Sequence, residues 1–287
     1  NPDNPYLVNI ISDFSSSHNI HIDSDGYLYV IGAGGHDLWI YELTDHPSNP
    51  VLVGTWDGEY FHDIEVYNNK LYGAAIYSGY FYILDVSDKS NPTTILSHNT
   101  GVDFGTHDCA VTYDEQYLIT ADEKWDGHVS IWDISDYENI NRISEYIVDI
   151  DHSVHNVYVR PGTNLAIISY YVDGTRILDI SDPANPVEVG FYDTSNLIGL
   201  YDGNWGTYAY LPSGHIISSD RQTGLYIFSS ALVEGSSLEW NSCVTNASSD
   251  QSYNQNDINV LQDIIDANNL VIHDPTDLGT QSWEDGR

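Results

Sequence analysis

The sequence predicts an all-β fold, a five-bladed β-propeller over residues 1–231 in which the N-terminal strand closes the last blade, followed by a C-terminal extension over 232–287 with one short helix. Three observations lead there. A dipeptide register recurs as His18-Asn19, His62-Asp63, His107-Asp108, His155-Asn156 and Trp205-Gly206, at intervals of 44, 45, 48 and 50 residues. An acidic turn signature follows at a constant place in the units. The segment Asn4-Pro5-Tyr6-Leu7-Val8 matches Asn49-Pro50-Val51-Leu52-Val53. A period near 45 residues is what a four-stranded blade requires. A continuous sandwich leaves the histidine register unexplained.

Each unit opens on a short alternating strand, such as Ile64-Glu65-Val66-Tyr67 or Val157-Tyr158-Val159-Arg160, and turns through Asn68-Asn69 or Pro161-Gly162. The second strands are predicted at 27–32, 71–77, 117–121, 165–170 and 215–219, and the third at 38–43, 80–86, 129–134, 175–180 and 225–228. The third strand ends in Asp85-Val86-Ser87-Asp88, Asp133-Ile134-Ser135-Asp136 or Asp179-Ile180-Ser181-Asp182, with Glu42-Leu43-Thr44-Asp45 as a variant. Short Asp and Ser side chains recur there because they hydrogen-bond a turning backbone. Asn-Pro at 49–50, 91–92 and 185–186 introduces the outer strand, where an edge can spare the missing N–H. The third unit has Asn139-Ile140-Asn141 instead. The last unit shows no outer strand after Phe228, so the N-terminal segment is expected to fill that place and remove two free sheet edges.

Composition narrows the function. Asp and Glu number 43 against 8 Lys and Arg, a formal net charge of -35. Such a surface repels phosphate backbones and anionic headgroups, which argues against nucleic-acid binding and membrane association. Cations are the natural partners, whether through adaptation to a salty medium or through calcium at scattered Asp groups. Aromatic residues make up 13%, with 23 Tyr and no Met, which suits pleated surfaces. Cys109 and Cys243 form no zinc or redox motif, leaving either one bridge or a buried free Cys109. No apolar stretch is long enough to span a membrane, and Asn1 opens the chain without a signal core, as in a mature or trimmed form. Asn246-Ala247-Ser248 is a glycosylation sequon.

The blade endings, best preserved from Leu178 to Val189, together with the His-Asn and His-Asp openings and the segment Trp205-Gly206-Thr207-Tyr208-Ala209-Tyr210-Leu211-Pro212-Ser213-Gly214, resemble the LVIVD-repeat propellers of the choice-of-anchor B group. The resemblance spans about residues 4 to 229. It implies a secreted or surface-anchored bacterial protein without an assigned activity, and relatives with further repeats upstream. In the extension, Asn256 caps a helix whose Ile258, Leu261, Ile264 and Ile265 share a face, while Asp250 to Asn254 lacks the glycine and final carboxylate of a calcium loop. Trp283-Glu284-Asp285-Gly286-Arg287 resembles a lead-in to leucine-rich repeats.

The register also carries the chemistry. His18, His62, His107 and His155 enter successive inner strands at the same point, so quasi-symmetry is expected to bring the imidazoles together at the channel mouth. Imidazole is the commonest protein ligand for a divalent transition ion such as Zn, Fe, Cu or Mn. Asn19, Asp63, Asp108 and Asn156 follow the histidines and are expected either to orient neighbouring imidazoles or to cap the turn into the strand. Trp205 cannot ligate, which leaves the fifth side open, and His21 and His152 flank the ring. A set of structural histidines bonded between blades accounts for the same register without a metal. No nucleophile elbow, phosphate loop or dinucleotide fingerprint is present. Two functions stay open, a surface module that binds a glycan, protein or small molecule, and a metal-dependent lyase or oxygenase using the four-histidine ion.

Overall fold

A computed structural model describes residues 5–211, 213–229 and 280–282. The fold is an all-β five-bladed propeller with no helix among the described residues. Five four-stranded sheets follow one another along the chain. The first holds β1 (Asn19–Ile22), β2 (Tyr27–Ile31), β3 (Leu38–Glu42) and β4 (Val51–Trp56), and the second β5 (Asp63–Tyr67), β6 (Lys70–Ala75), β7 (Tyr80–Asp85) and β8 (Thr93–Asn99). The third holds β9 (Thr106–Val111), β10 (Tyr117–Asp122), β11 (Val129–Asp133) and β12 (Asn141–Tyr146). The fourth holds β13 (Val157–Val159), β14 (Leu165–Tyr170), β15 (Gly174–Asp179) and β16 (Val187–Tyr192). The fifth holds β17 (Asn204–Tyr208), β18 (Ile216–Asp220), β19 (Gly224–Ser229) and β20 (Thr280–Ser282). The described residues divide into two compact units, residues 7–159 with 182–186, and residues 5–6, 160–181, 187–211, 213–229 and 280–282.

In the first unit the apolar cores sit between consecutive sheets. Tyr29, Ile31, Leu38 and Ile40 of the first sheet pack with Phe61, Leu71, Ala75, Leu84 and Val86 of the second. Tyr72, Ala74, Phe81 and Ile83 then pack with Cys109, Val111, Leu118, Trp132 and Ile134 of the third. Burial of this kind, at about 25 cal/mol per Å² of apolar surface, is what holds one sheet against the next. Strands β9 and β10 are buried nearly throughout, whereas the outer strands β4, β8 and β12 contain no buried residue. Cys109 is a buried free thiol. Cys243, the predicted helix around Ile258 and the residues after Ser282 lie outside the described residues.

The acidic signature works as its chemistry predicts. The carboxylates of Asp85 and Asp133 accept the backbone N–H of Ser87 and Ser135 at 2.9 and 3.0 Å, and in the second unit Asp179 accepts from Ser181 at 2.8 Å. One regularity was not visible in the sequence. The outer-strand pairing slips by one residue at Ile40/Tyr41, Ile83/Leu84, Ile131/Trp132 and Ile177/Leu178, a β-bulge at a matched position in four sheets. Such bulges add local twist, and their recurrence marks them as part of the repeat.

The closure of the last blade differs from expectation. Among the described residues, 5–8 form no strand; Ile11 and Phe14 instead pack against Val30, Trp39 and Tyr41 of the first sheet, and the Tyr41 hydroxyl donates to Asp13 at 2.9 Å. Those anchors follow the Asn-Pro-like segment and hold the residues next to it on the first sheet, while Tyr6, Leu7 and Val8 stay exposed. The fourth place beside β19 is taken by β20, which pairs parallel, Ile227 with Thr280 through Ser229 with Ser282. An exposed sheet edge accepts whichever segment reaches it with free backbone groups.

In the second unit, Gly174 opens β15 with φ +77°, and a Cβ there would overlap Tyr192 O. Both the left-handed conformation and the close approach require glycine. Gly174→Ala is expected to cost more than about 2 kcal/mol of unfolding free energy. Urea denaturation checks this, and an unchanged midpoint contradicts it.

Candidate metal centre

Backbone ladders place the four histidines. The His18 N–H donates to Ile31 O at 3.0 Å and the His62 N–H to Ala74 O at 2.8 Å, so each residue is held where its inner strand begins. Gly32, at φ +62°, keeps the space that the His18 Cβ occupies. His107 lies within β9, and His155 precedes β13.

All four side chains belong to the first unit and their rings stand in a file. The ring centroids are 3.9 Å apart from His18 to His62, 3.9 Å from His62 to His107 and 4.2 Å from His107 to His155. The file runs from solvent inward. His18 is exposed, the His62 side chain is 14% accessible and that of His107 is 1% accessible. Burial lowers the imidazole pKa of His62, and it lowers that of His107 far more, where His155, His62 and His18 add to the effect and a backbone contact with His155 opposes it. Burial thus favours the neutral form of these rings, the form that ligates.

The imidazoles do not converge on one point. The groupings compact enough for an ion combine two imidazoles with one carboxylate, His62, Asp63 and His107 in one, and His107, Glu123 and His155 in the other. His62 Nδ1 and His107 Nδ1 lie 3.5 and 3.4 Å from Asp63 Oδ2, and His107 Nε2 lies 3.6 Å from Glu123 Oε2. These separations exceed the ordinary range for hydrogen bonds. They match the edge of a tetrahedron around an ion with bonds of about 2.1 Å, which is roughly 3.4 Å. Neither ring nitrogen of His107, nor Nδ1 of His62, makes a hydrogen bond.

Asn19, Asp63, Asp108 and Asn156 bond chiefly to one another. Asn19 donates to Asp63 Oδ1, and Asn156 Nδ2 bridges Asp63 Oδ2 at 3.0 Å and Asp108 Oδ2 at 3.1 Å. The Val157 and Cys109 N–H groups also donate to Asp108, at 2.9 and 2.8 Å. Asp63 is thus the residue of this set that also faces the imidazoles. Burial drives both carboxyls upward, Asp63 raising Asp108 further, against the lowering effect of their amide donors. Below them Glu65, whose carboxylate accepts the Val111 N–H at 2.7 Å, is pushed up to about 8 by burial.

His21 stands aside from the file, accepting the Val66 N–H through Nε2 at 3.4 Å. His152 helps fix a loop through its backbone, donating to Asp149 O at 3.1 Å and accepting from Gly127. Trp205 belongs to the second unit, where it is half exposed on β17 with the Arg221 guanidinium 4.9 Å from its ring. Glu123 was missed in the sequence. Its signal was a departure from the repeat, since Asp122-Glu123 stands where the first, second and fourth units carry Gly32-Ala33, Ala75-Ile76 and Tyr170-Tyr171. Neighbouring Asp122, pushed up to about 6 by burial, accepts from the Thr106 hydroxyl at 3.1 Å.

Comparison with protein families matches residues 60–100 and 171–194 to the LVIVD repeat, covering the second unit of the register and part of the fourth. These two segments are similar to the LVIVD repeat. The repeat named here includes the blade endings at Asp85 and Asp179 whose turns are described above. No curated protein matches the chain. Among solved structures, a protein from Lactobacillus plantarum determined as a structural-genomics target is similar, with TM-score 0.59 and 13% identity over 75% of this chain and 67% of that one. The computationally designed Ika8 protein is similar with TM-score 0.51 and 11% identity over 75% of this chain and 58% of its own. At these identities the likeness concerns the fold alone. No helix among the described residues is long and apolar enough to cross a membrane.

Proposed function

We propose that this protein is a secreted or cell-surface binding module whose propeller holds a divalent transition ion at His62, Asp63 and His107. The observation that carries the reading is the placement of two imidazole nitrogens at 3.4 and 3.5 Å from Asp63 Oδ2, neither of them hydrogen-bonded. A mixed set of two imidazoles and one carboxylate suits Zn, Fe, Cu or Mn, whereas calcium prefers oxygen donors throughout. Asn19 and Asn156 hold the carboxylate in place, as amide donors do around metal-bound carboxylates. The net charge of -35 raises the local concentration of cations and repels nucleic acid and anionic lipid. Partners of the module are then surface glycans, proteins or small molecules reached by the loops of the propeller.

Three protein donors leave one tetrahedral position for water, so a metal-dependent lyase or oxygenase rests on the same centre. Elemental analysis of protein purified without chelators, then reloaded with zinc, tests the common ground. At least one ion per chain is expected, and removal with a strong chelator is expected to lower the melting temperature. A chain that takes up no zinc overturns the reading.

A further inference from the structure

We propose that His107 bridges two divalent ions, one at each ring nitrogen, the first shared with His62 and Asp63 and the second with Glu123 and His155. The inference rests on the metal reading above and deepens it. His107 is the residue common to both ion-sized groupings. Its Nδ1 faces Asp63 at 3.4 Å and its Nε2 faces Glu123 at 3.6 Å, and neither nitrogen is hydrogen-bonded. The side chain is 1% accessible, so solvent does not satisfy those atoms.

The two nitrogens of an imidazole point away from each other in the ring plane, so one ion cannot take both. A neutral ring with a single ion keeps one N–H, and a buried N–H needs an acceptor within hydrogen-bonding reach. The carboxylates on the two sides stand too far for that bond and at the spacing of co-ligands, and the backbone contact with His155 does not reach hydrogen-bond geometry. Binding the second ion displaces the remaining ring proton to solvent, leaving an imidazolate bonded through both nitrogens, and metal binding releases protons in general. Two dications are then met by three anionic donors, Asp63, Glu123 and the imidazolate. His62 and His155 supply a neutral donor on either side, and the file of rings carries both within the same unit.

Zinc stoichiometry by elemental analysis after loading and gel filtration tests this, on the full chain and on Glu123→Gln. Two ions per chain are expected for the unsubstituted protein and one for Glu123→Gln. One ion in the unsubstituted chain, or two in the variant, overturns the bridge. No ion in either overturns the metal reading beneath it. Because a variant can lose its fold, copper loading of the unsubstituted chain gives an independent measure. Two Cu(II) ions across an imidazolate couple magnetically, so the integrated paramagnetic signal is expected to fall to less than half of the bound copper. A signal equal to the bound copper overturns the bridge.

Discussion

Replacing His107 with glutamine is expected to weaken zinc binding by more than 100-fold, the upper end of the about 10–100-fold that loss of a supporting group around a metal costs. The direct donor is lost here, together with the residue common to both groupings. Glutamine retains much of the volume, which separates lost coordination from a void in a site that is 1% accessible. Competition against a chromophoric chelator measures the affinity. His46→Ala serves as a control, since His46 is exposed and pairs locally with Glu42 at 2.8 Å. Stabilisation by zinc, about 2.7 kcal/mol at a hundredfold excess over Kd, should vanish in the His107 variant and persist in the control. Equal affinities in the two proteins would remove the basis for a centre at this histidine.

The second large effect concerns pH. Glu65 is half-buried on β5, and burial pushes its carboxyl up to about 8 against an ordinary value of 4.5, with the Val111 N–H opposing and Asp108 adding. Between those values the folded chain binds more protons at this residue than the unfolded chain does. Stability is therefore fully present below the unfolded value and is lost as pH rises through the folded one, by up to about 1.4 kcal/mol per pH unit. Glu65→Gln keeps an acceptor for the Val111 N–H, 2.7 Å away in the parent, and removes the ionisation. In chelator-treated protein, urea melts from pH 5 to 8 should show a shallower decline for the variant, by one proton's contribution. Asp63, Asp108 and Asp122, whose carboxyls burial also raises, contribute to the remaining slope. Parallel profiles for parent and variant would contradict the assignment.

The repeat arithmetic made the five sheets legible because a blade needs the same turn chemistry each time, and Asp85, Asp133 and Asp179 repeat that chemistry in the letters themselves. The histidine register was legible for the same reason. What the register could not convey was direction. Matched positions suggested convergence on one ion, whereas side-by-side rings present their nitrogens to carboxylates on either side. Asp63 had been singled out through its place after His62, but Glu123 lies outside the register and enters only because β10 ends beside His107. Closure of the last sheet was misread because Asn4-Pro5 shares the turn chemistry of an outer strand, while the choice between edges depends on Ile11, Phe14 and Asp13, whose contacts are long-range.

Two apolar clusters of the first unit each draw on one sheet and its neighbour, and a third joins the first sheet to the segment that precedes it. No sheet there owns a core, so its cooperativity runs from neighbour to neighbour along the chain, as in linear repeat arrays. Amide exchange in that unit should therefore be fastest at β1, whose Ile20 and Ile22 are 57% and 55% accessible, and slowest in β9 and β10, which have covered faces on both sides. The imidazole file crosses that gradient, fraying where His18 sits and rigid where His107 does.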